Sequence, residues 1–385
     1  MKYVVVLGDG MADEPLDELG GKTPLEYAKT PNLDRIAREG ACGLLRTIPD
    51  GMEAGSDIAN LSILGYDPQE YYTGRGPLEA ASRGVVLSPG AIAYRCNLVT
   101  VQDGRMVDYS AGHISSDEGS ALFASLKEAV SGVEFMPGVS YRNLLIAAEG
   151  RGALTTPPHD IVDQEVAPYL PSGEDADLLM LCMEVSRKVF AHHPVNEARV
   201  LGGRSPATQV WPWSGGKSPL MPPFSQKFGV KGGVISAVDL LQGIARSLMM
   251  EVITVPGATG FLDTDYQAKA RYALEALTHL DFVYVHVEAA DEAGHMGNIE
   301  EKVLAIERID GLVGTILKGM QGVIAVLPDH PTPIRIRTHT RDPVPFAVLG
   351  LTRDGTTCFS EREAARGVYG CRDATAFLQL ILKQE

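Results

Sequence analysis

The chain has 385 residues, more than one ordinary hydrophobic core organises, so two domains are expected. Apolar residues make up 45% and charged residues 22%, the balance of a folded globular protein, which excludes a disordered chain. A formal net charge of −15 with no polybasic run argues against a nucleic-acid or anionic-membrane partner. The five scattered cysteines (Cys42, Cys96, Cys182, Cys358, Cys371) contain no C-x-x-C pair and read as reduced thiols. The opening MKYVVVLGDG turns acidic too soon for a signal peptide. No apolar run approaches the ~20 residues of a membrane helix. A cytoplasmic protein is expected.

In chain order, Tyr3–Leu7 is the first unbroken apolar run and reads as a strand buried on both faces. Thr30-Pro31 opens a helix, a cap residue followed by proline at the first helical position. Ala93–Val101 and Arg105–Tyr109 flank Asp103-Gly104 and predict an antiparallel hairpin. A helix over Ser115–Val130, a strand at Tyr141–Ala147 and a helix over about Glu174–His192 follow. Glycine and proline concentrate at Ser88–Ala91 and over Gly202–Pro223, which read as crossings between domains. Further buried strands are predicted at Val252–Val255, Phe282–Val287, Val323–Leu327 and Pro345–Leu349. Between them, Asn298–Lys318 has a cap pair in Asn298 and Glu301 and an apolar stripe through Val303, Ile306, Leu312, Val313, Ile316 and Leu317. The expected fold is α/β: a doubly wound, mostly parallel sheet core in two segments, 1–91 and 211–385, with a smaller α+β domain inserted at 92–210.

Three acidic residues stand just past predicted core strands: Asp9, Asp291 and Asp329. Ligands of open parallel sheets bind outside the carboxyl ends of strands. Singly, each Asp reads equally as a helix cap or a turn residue. Together they come with histidines. Asp291 and His295 are four apart, on one helical face; Asp329 and His330 are adjacent; His339 follows in THT. Mixed carboxylate and imidazole ligands suit zinc or manganese better than calcium. His286 sits inside a strand and reads as core. Ser56, in Glu53-Ala-Gly-Ser-Asp57, stands where a glycine-flanked turn enters a helix. The amides of such a helix start favour a phosphate or an alkoxide, although serine there is also the common N-cap. The sequence puts no histidine or lysine beside Ser56, so metal coordination is the natural route to its activation.

The stretches VVVLGDGMAD, TPNLDRIAREG, AGSDIANLSILGYDP, YTGRGPLEAAS, PGVSYRNLL, VHVEAADEAGH, LPDHPTP and THTRDPVPF resemble the archaeal-type, cofactor-independent phosphoglycerate mutases of the alkaline phosphatase superfamily. They run in the family's order from the first residues to about Leu349. The resemblance implies an alkaline-phosphatase-type core and two divalent metal ions (Mn2+, Zn2+, Co2+ or Mg2+). Asp291, His295 and His339 would hold one; Asp9, Ser56, Asp329 and His330 the other. It implies a small phosphorylated substrate, a phosphoserine at Ser56, and a lid, for which the inserted domain is the candidate. Ser56 is followed by Asp-Ile-Ala-Asn, without the Pro and Arg that sulfatases place after their nucleophile.

Candidates for binding the substrate are His113, which resembles a substrate-binding histidine of the mutases, and Arg142, His159, Asp160 and Lys231. One departure stands out. Where the mutases carry more arginine, this chain reads VDYSAGHI and VWPWSGGK, a form that resembles a subgroup proposed to be homoserine kinases. A mutase converting 3- to 2-phosphoglycerate is therefore the first reading and an ATP-dependent phosphotransferase acting on homoserine the alternative. A metal-dependent phosphatase or phosphodiesterase stands third, and a non-catalytic metal-stabilised binding protein is the reading from outside the enzymes. No G-x-x-x-x-G-K-[ST] loop is present, but a donor's phosphates could bind through metals.

Overall fold

The computed structural model describes residues 1–382, which divide into two compact units. Unit 1 comprises Met1–Tyr72 and the residues from Leu220 onward; unit 2 is Thr73–Pro219. Unit 1 opens with strands β1 (Tyr3–Gly8) and β2 (Ala41–Arg46). Unit 2 holds β3 (Ile92–Gln102), β4 (Arg105–Asp108), β5 (Val133–Val139), β6 (Arg142–Ala147) and β7 (Gln209–Gly216). Unit 1 resumes with β8 (Gly232–Ile235), β9 (Glu251–Val252), β10 (Phe282–Val287), β11 (Val323–Leu327), β12 (Val344–Leu349) and β13 (Cys371–Asp373).

The strands of unit 1 form one sheet in the order β13-β2-β12-β11-β1-β10-β8-β9. β11, β1, β10, β8 and β9 run parallel, while β12 is antiparallel to both β11 and β2. The central strands YVVVLG, FVYVHV and VIAVL are buried throughout, as β-branched runs covered on both faces should be. Helices Pro31–Glu39, Tyr266–Ala276 and Ile299–Gly319 bury Leu33, Ile36, Ala273, Ile306, Ile309 and Val313 in one core with Val4, Val6, Val283 and Val285. Strand side chains alternate, so Tyr284 and His286 point to the opposite face. There the Tyr284 hydroxyl donates to Asn60 Oδ1 at 2.6 Å, on the helix Ser56–Ile63. Helix Ile299–Gly319 begins as the sequence predicts, with Asn298 accepting from the Glu301 amide at 3.1 Å. It also sends Lys302 into the interior. The ammonium, fully buried, donates to Asp13 Oδ2 at 2.7 Å and to the carbonyls of Ala12 and Thr332 at 3.2 and 2.8 Å.

Unit 2 is a five-stranded sheet in the order β4-β3-β6-β5, with β7 on the other side of β3, and every pairing is antiparallel. The β3–β4 hairpin turns on Asp103 and Gly104, both at positive φ (+48° and +75°), as a type I′ turn requires. Its core gathers Tyr94, Cys96, Phe123, Leu145, Leu179, Phe190, Trp211 and Trp213.

Several expectations are corrected. VWPWSGG, read as part of a glycine- and proline-rich crossing, is strand β7; its proline is tolerated because β7 pairs on one side only. The chain divides between Tyr72 and Thr73 and between Pro219 and Leu220 rather than at 91/92 and 210/211, because the helix Arg75–Ser82 and β7 both pack with β3. The predicted strand Val252–Val255 shortens to β9, whose continuation runs into Pro256. The helix after Ser115 stops at Ser125, with Glu128 beyond it at φ +63°.

The buried Lys302–Asp13 pair yields a first prediction. Lys302→Met leaves the Asp13 carboxylate buried without its cation and should lower the unfolding free energy by about 3–5 kcal/mol. Urea denaturation of parent and variant, compared at equal metal loading, measures it.

Candidate metal centre

β11, β1 and β10 are parallel neighbours in register, so their carboxyl ends lie side by side. Asp9 follows β1, Asp329 and His330 follow β11, and the helix Ala289–Met296 after β10 carries Asp291 and His295. Register therefore makes the cluster. Asp9, Asp329 and His330 are buried, and each offers a ligand atom within 4.8 Å of the others. Asp291, His330 and His339 meet the same criterion, so His330 belongs to both groups. His295 Nε2 lies 3.2 Å from Asp291 Oδ2 and 3.0 Å from His339 Nε2, and His339 Nε2 lies 3.5 Å from Asp291 Oδ1. Ser56 Oγ is 3.1 Å from His330 Nε2. The structure thus gathers Asp9, Ser56, Asp291, His295, Asp329, His330 and His339 into one continuous cluster within unit 1.

Folding also revises the reading of Ser56. It is the first residue of its helix, and Gly55 occupies the cap position. No imidazole neighbours Ser56 in the sequence, but the fold brings His330 Nε2 to its Oγ. One glycine is indispensable here. Gly10 has φ +61°, and a Cβ on it would stand 2.5 Å from Asp291 Oδ1 and 2.7 Å from Thr332 Oγ1, while its amide donates to Asp329 Oδ1 at 3.2 Å.

The hydrogen bonds around the cluster leave its inner atoms exposed to one another. His295 Nδ1 faces the Arg337 carbonyl at 3.0 Å and His339 Nδ1 faces the Ala54 carbonyl at 3.4 Å. A carbonyl only accepts, so each Nδ1 carries the proton and each Nε2 a lone pair, the outer-shell pattern of metal-binding histidines. Two lone pairs 3.0 Å apart need a proton or a cation between them. Among the described residues, Asp9 Oδ1 and Thr340 Oγ1, beside His339, are the buried side-chain polar atoms without a hydrogen-bond partner. Burial pushes Asp9 well above the usual carboxylate range, and Asp329, Asp291 and Glu288 add to the effect. These atoms fit a group of nitrogen- and oxygen-ligated divalent cations.

Residues not anticipated as functional hold the ligands in place. Asn60 Nδ2 donates to the Ser56 carbonyl at 2.8 Å and to Asp329 Oδ2 at 2.9 Å. Its position four residues after Ser56 on the same helix was the available signal. His286, read as core, is buried but lies 3.0 Å from Asp9 Oδ2 and 3.2 Å from Ser236 Oγ. Burial lowers it to about 4, so it stays neutral and orients Asp9 by hydrogen bonding. Thr332 Oγ1 donates to Asp291 Oδ1 at 2.5 Å. Glu288, which also forms a close carboxylate group with Asp9 and Asp291, is raised to about 8 by burial and then by Asp291.

The substrate-binding candidates divide differently. In unit 2, exposed His113 and Arg142 flank Tyr141, the first ring 6.0 Å and the guanidinium 5.2 Å from it. Tyr141 lies 5.7 Å from Tyr109, which lies 6.0 Å from His159, which lies 5.2 Å from Trp213. Asp160 Oδ1 is 3.6 Å from His159 Nε2. Arg95 completes the row, its guanidinium 4.4 Å over Trp213 and its Nε 2.8 Å from Glu79 Oε2. Lys231 is a correction. It precedes β8, whose first residue Gly232 pairs with Phe282 and so lies level with Tyr3. Asp9 is six residues further along, about 20 Å at the ~3.3 Å rise of a strand. Lys231 stands at the opposite edge of the sheet from the cluster.

An open α/β sheet with a carboxylate–imidazole cluster at the carboxyl ends of its central strands defines an α/β protein with a candidate metal centre. Comparison with known proteins narrows this. A family model described as 2,3-bisphosphoglycerate-independent phosphoglycerate mutase matches residues 37–196. The chain is 51% identical to the mutase of that name from Methanothrix thermoacetophila, over 99% of this chain and 100% of the relative. It is 52% identical to 2,3-bisphosphoglycerate-independent phosphoglycerate mutase 2 of Methanothermobacter thermautotrophicus, over 99% and 97%. Its fold matches the solved cofactor-independent phosphoglycerate mutase of Thermoplasma acidophilum with a TM-score of 0.70 at 29% identity, covering 99% of each chain. A solved protein of Pyrococcus horikoshii matches with a TM-score of 0.86 at 32% identity, covering 100% and 98%. The chain belongs to the 2,3-bisphosphoglycerate-independent phosphoglycerate mutases. Among the described residues no helix is long and apolar enough to cross a membrane.

The cluster predicts how metal uptake depends on pH. The hydrogen bond to Asp291 raises His295 to about 9 in the metal-free protein, so at pH 7 the ring is protonated and metal must displace that proton. Apparent affinity should rise with pH up to about 9 and then level. The linkage of the metal-free fold has the opposite sign. A raised His contributes stability below its unfolded value, ~6.5, and that contribution is lost as pH rises through about 9. Calorimetric titration with Zn2+ in buffers of different ionisation enthalpy should show proton release on binding at pH 7, and less release at pH 9.

Proposed function

We propose that the chain interconverts 3- and 2-phosphoglycerate without bisphosphoglycerate, passing the phosphoryl group through Ser56. Two divalent ions complete the site, one held by Asp9, Ser56, Asp329 and His330 and the other by Asp291, His295 and His339. The observation that carries this reading is the place of Ser56. Its Oγ lies at the start of a helix and faces a cluster in which a buried oxygen of Asp9 has no hydrogen-bond partner. With three imidazoles in the set, zinc, manganese or cobalt suits it better than magnesium. When bound, such ions lower the hydroxyl pKa and neutralise the transferred phosphoryl oxygens.

The chain's own residues supply the rest. Ser56 Oγ forms a bond to the phosphorus of 3-phosphoglycerate while the bond to the glycerate oxygen breaks; the proton lost by Ser56 is balanced by the one the leaving glycerate oxygen gains. The 2-hydroxyl of the same glycerate then takes the phosphoryl group back from Ser56. The helix start stabilises negative charge at Oγ and on the phosphoryl group. Asn60, bonded to both the Ser56 carbonyl and Asp329, keeps the nucleophile in register with the cluster.

A phosphoglycerate brings a carboxylate as well as a phosphate. The arginine-poor sequence around YSAGHI and WPWSGGK argues against such a substrate only along the chain. In space, unit 2 brings Arg75 and Arg142 within reach of Arg95, and Arg75 and Arg95 within reach of His159. Burial lowers Arg95, and the charges of Arg75 and Arg142 lower it further. Burial likewise lowers His159, with Arg95 and Arg75 acting in the same direction against Asp160. Glu79 offsets part of this charge through its pairs with Arg95 and Arg83, and the remaining positive charge favours an anion. This supports phosphoglycerate over homoserine, and unit 2 is our candidate substrate-binding unit.

The test is a substrate comparison on the metal-loaded enzyme. 3-Phosphoglycerate should convert to 2-phosphoglycerate with metal alone, and Ser56→Ala should lower kcat by roughly 10³-fold or more while the protein stays folded. Rapid-quench mass spectrometry should find phosphate on Ser56. No isomerisation, together with ATP-dependent formation of O-phosphohomoserine, would overturn the reading in favour of the kinase.

A further inference from the structure

Thr332 lies between the two ligand sets, and nothing in the motif LPDHPTP marks it as a site residue. Its hydroxyl is buried, 2.5 Å from Asp291 Oδ1 and 3.3 Å from His330 Nδ1. These belong to different proposed metal positions. A hydroxyl has one proton and spare lone pairs. An ionised Asp291 only accepts, so the Thr332 proton goes to it, and the oxygen is left to accept from His330 Nδ1–H. One side chain therefore sets the orientation of Asp291 and the tautomer of His330, leaving His330 Nε2 with a lone pair toward Ser56 and Asp9.

Thr332 has little freedom to serve one partner at the expense of the other. Its carbonyl accepts from the buried Lys302 ammonium at 2.8 Å, and its amide donates to the Ala12 carbonyl at 3.3 Å. Gly294 packs so closely that a Cβ there would stand 2.5 Å from the Thr332 carbonyl oxygen. On the opposite side, Gly10 approaches Oγ1 itself.

We infer that the Thr332 hydroxyl couples the two metal positions, so that ordering of Asp291 at one strengthens His330 as a ligand at the other. The inference rests on the two-metal reading above. Orientation carries the effect: an Asp291 held fixed also fixes the Thr332 hydroxyl proton toward it, which turns the oxygen's lone pair to His330 Nδ1–H and keeps His330 Nε2 aimed at the other position. Such coupling acts equally in both directions.

The test uses the full chain, stripped of metal and titrated with Co2+, with calorimetry giving each step and the visible spectrum reporting ligand geometry. The parent should take up two ions. Thr332→Val, nearly isosteric, should weaken both steps by about 10–100-fold and change the spectrum of both, while Thr332→Ser should restore them. Thr332→Ala, measured in parallel, keeps the comparison with Ser decisive should the Val protein fail to fold. Two ions in the parent with only one step weakened by the loss of the hydroxyl, or neither, would overturn the coupling alone. A Ser variant as weak as Val or Ala would overturn it too, assigning the effect to the methyl. Fewer than two ions in the parent would overturn the two-metal reading and the coupling with it.

Discussion

Adjacent parallel strands β11, β1 and β10 run out at one edge of the sheet, and each brings a carboxylate there: Asp329, Asp9 and, within the following helix, Asp291. Glu288 stands at the end of β10 as a fourth. Two carboxylates within 4.8 Å of each other repel by at least roughly 3 kcal/mol at an effective dielectric near 20, and burial adds desolvation. Negative charge packed this tightly is the constraint on which the rest of unit 1 depends. Protonation is one answer, and Asp9 and Glu288 are both pushed toward it by burial and by their neighbours. Cations are the other, and the converging imidazole lone pairs suit that answer.

The protein offsets the charge unevenly. Asp329 accepts from the amides of Gly10 and His330 and from Asn60, so both of its oxygens are satisfied. Asp9 has His286 on one oxygen, while its buried Oδ1 has no hydrogen-bond donor and only His330 Nε2 nearby at 3.6 Å. The same contrast appears in their titration. Burial raises both, but the charge of His330 and the neighbouring Asp9 hold Asp329 below the usual range. Asp9 is thus the group that gains most from a cation, and the fold spends no donor of its own there.

How much of this was legible in the chain follows from what each feature depends on. The strands β1, β10 and β11 and the acids after them were legible because a buried parallel strand is a local apolar run and its end is a local event. All seven cluster residues follow from motifs of a few residues each. Lys231 was misplaced because a sequence does not show which end of a strand a flanking residue occupies relative to its neighbours; register settles that. β7 was missed because a proline suggests a loop unless the strand is known to pair on one side. His286 read as core, and is core, but its ring reaches Asp9 only because strand alternation turns it toward the face with Asn60. The arginines of unit 2 were scattered over Arg75, Arg95 and Arg142, and only the packing of β3 and β6 with the helix Arg75–Ser82 shows them to be one group.

The two halves of the cluster are built to different stiffness, and that difference has a chemical use. Asp9, Asp329 and His330 sit on strand ends, buried and fixed by register. His295 and His339 come from a helix end and a loop; His295 is exposed, and His339 is only partly buried. The loop is steered by its backbone: Arg337 takes φ +56°, unusual for a side chain of its size, and its carbonyl receives His295 Nδ1–H. A phosphoryl-transfer site needs an unyielding nucleophile and a partner position that tolerates a changing set of oxygens as attacking and leaving groups exchange. Ser56 belongs to the rigid half, through His330 and Asn60. The more accessible side of the cluster is the one at His295 and His339, and Thr332 joins it to the buried side through its contacts with Asp291 and His330.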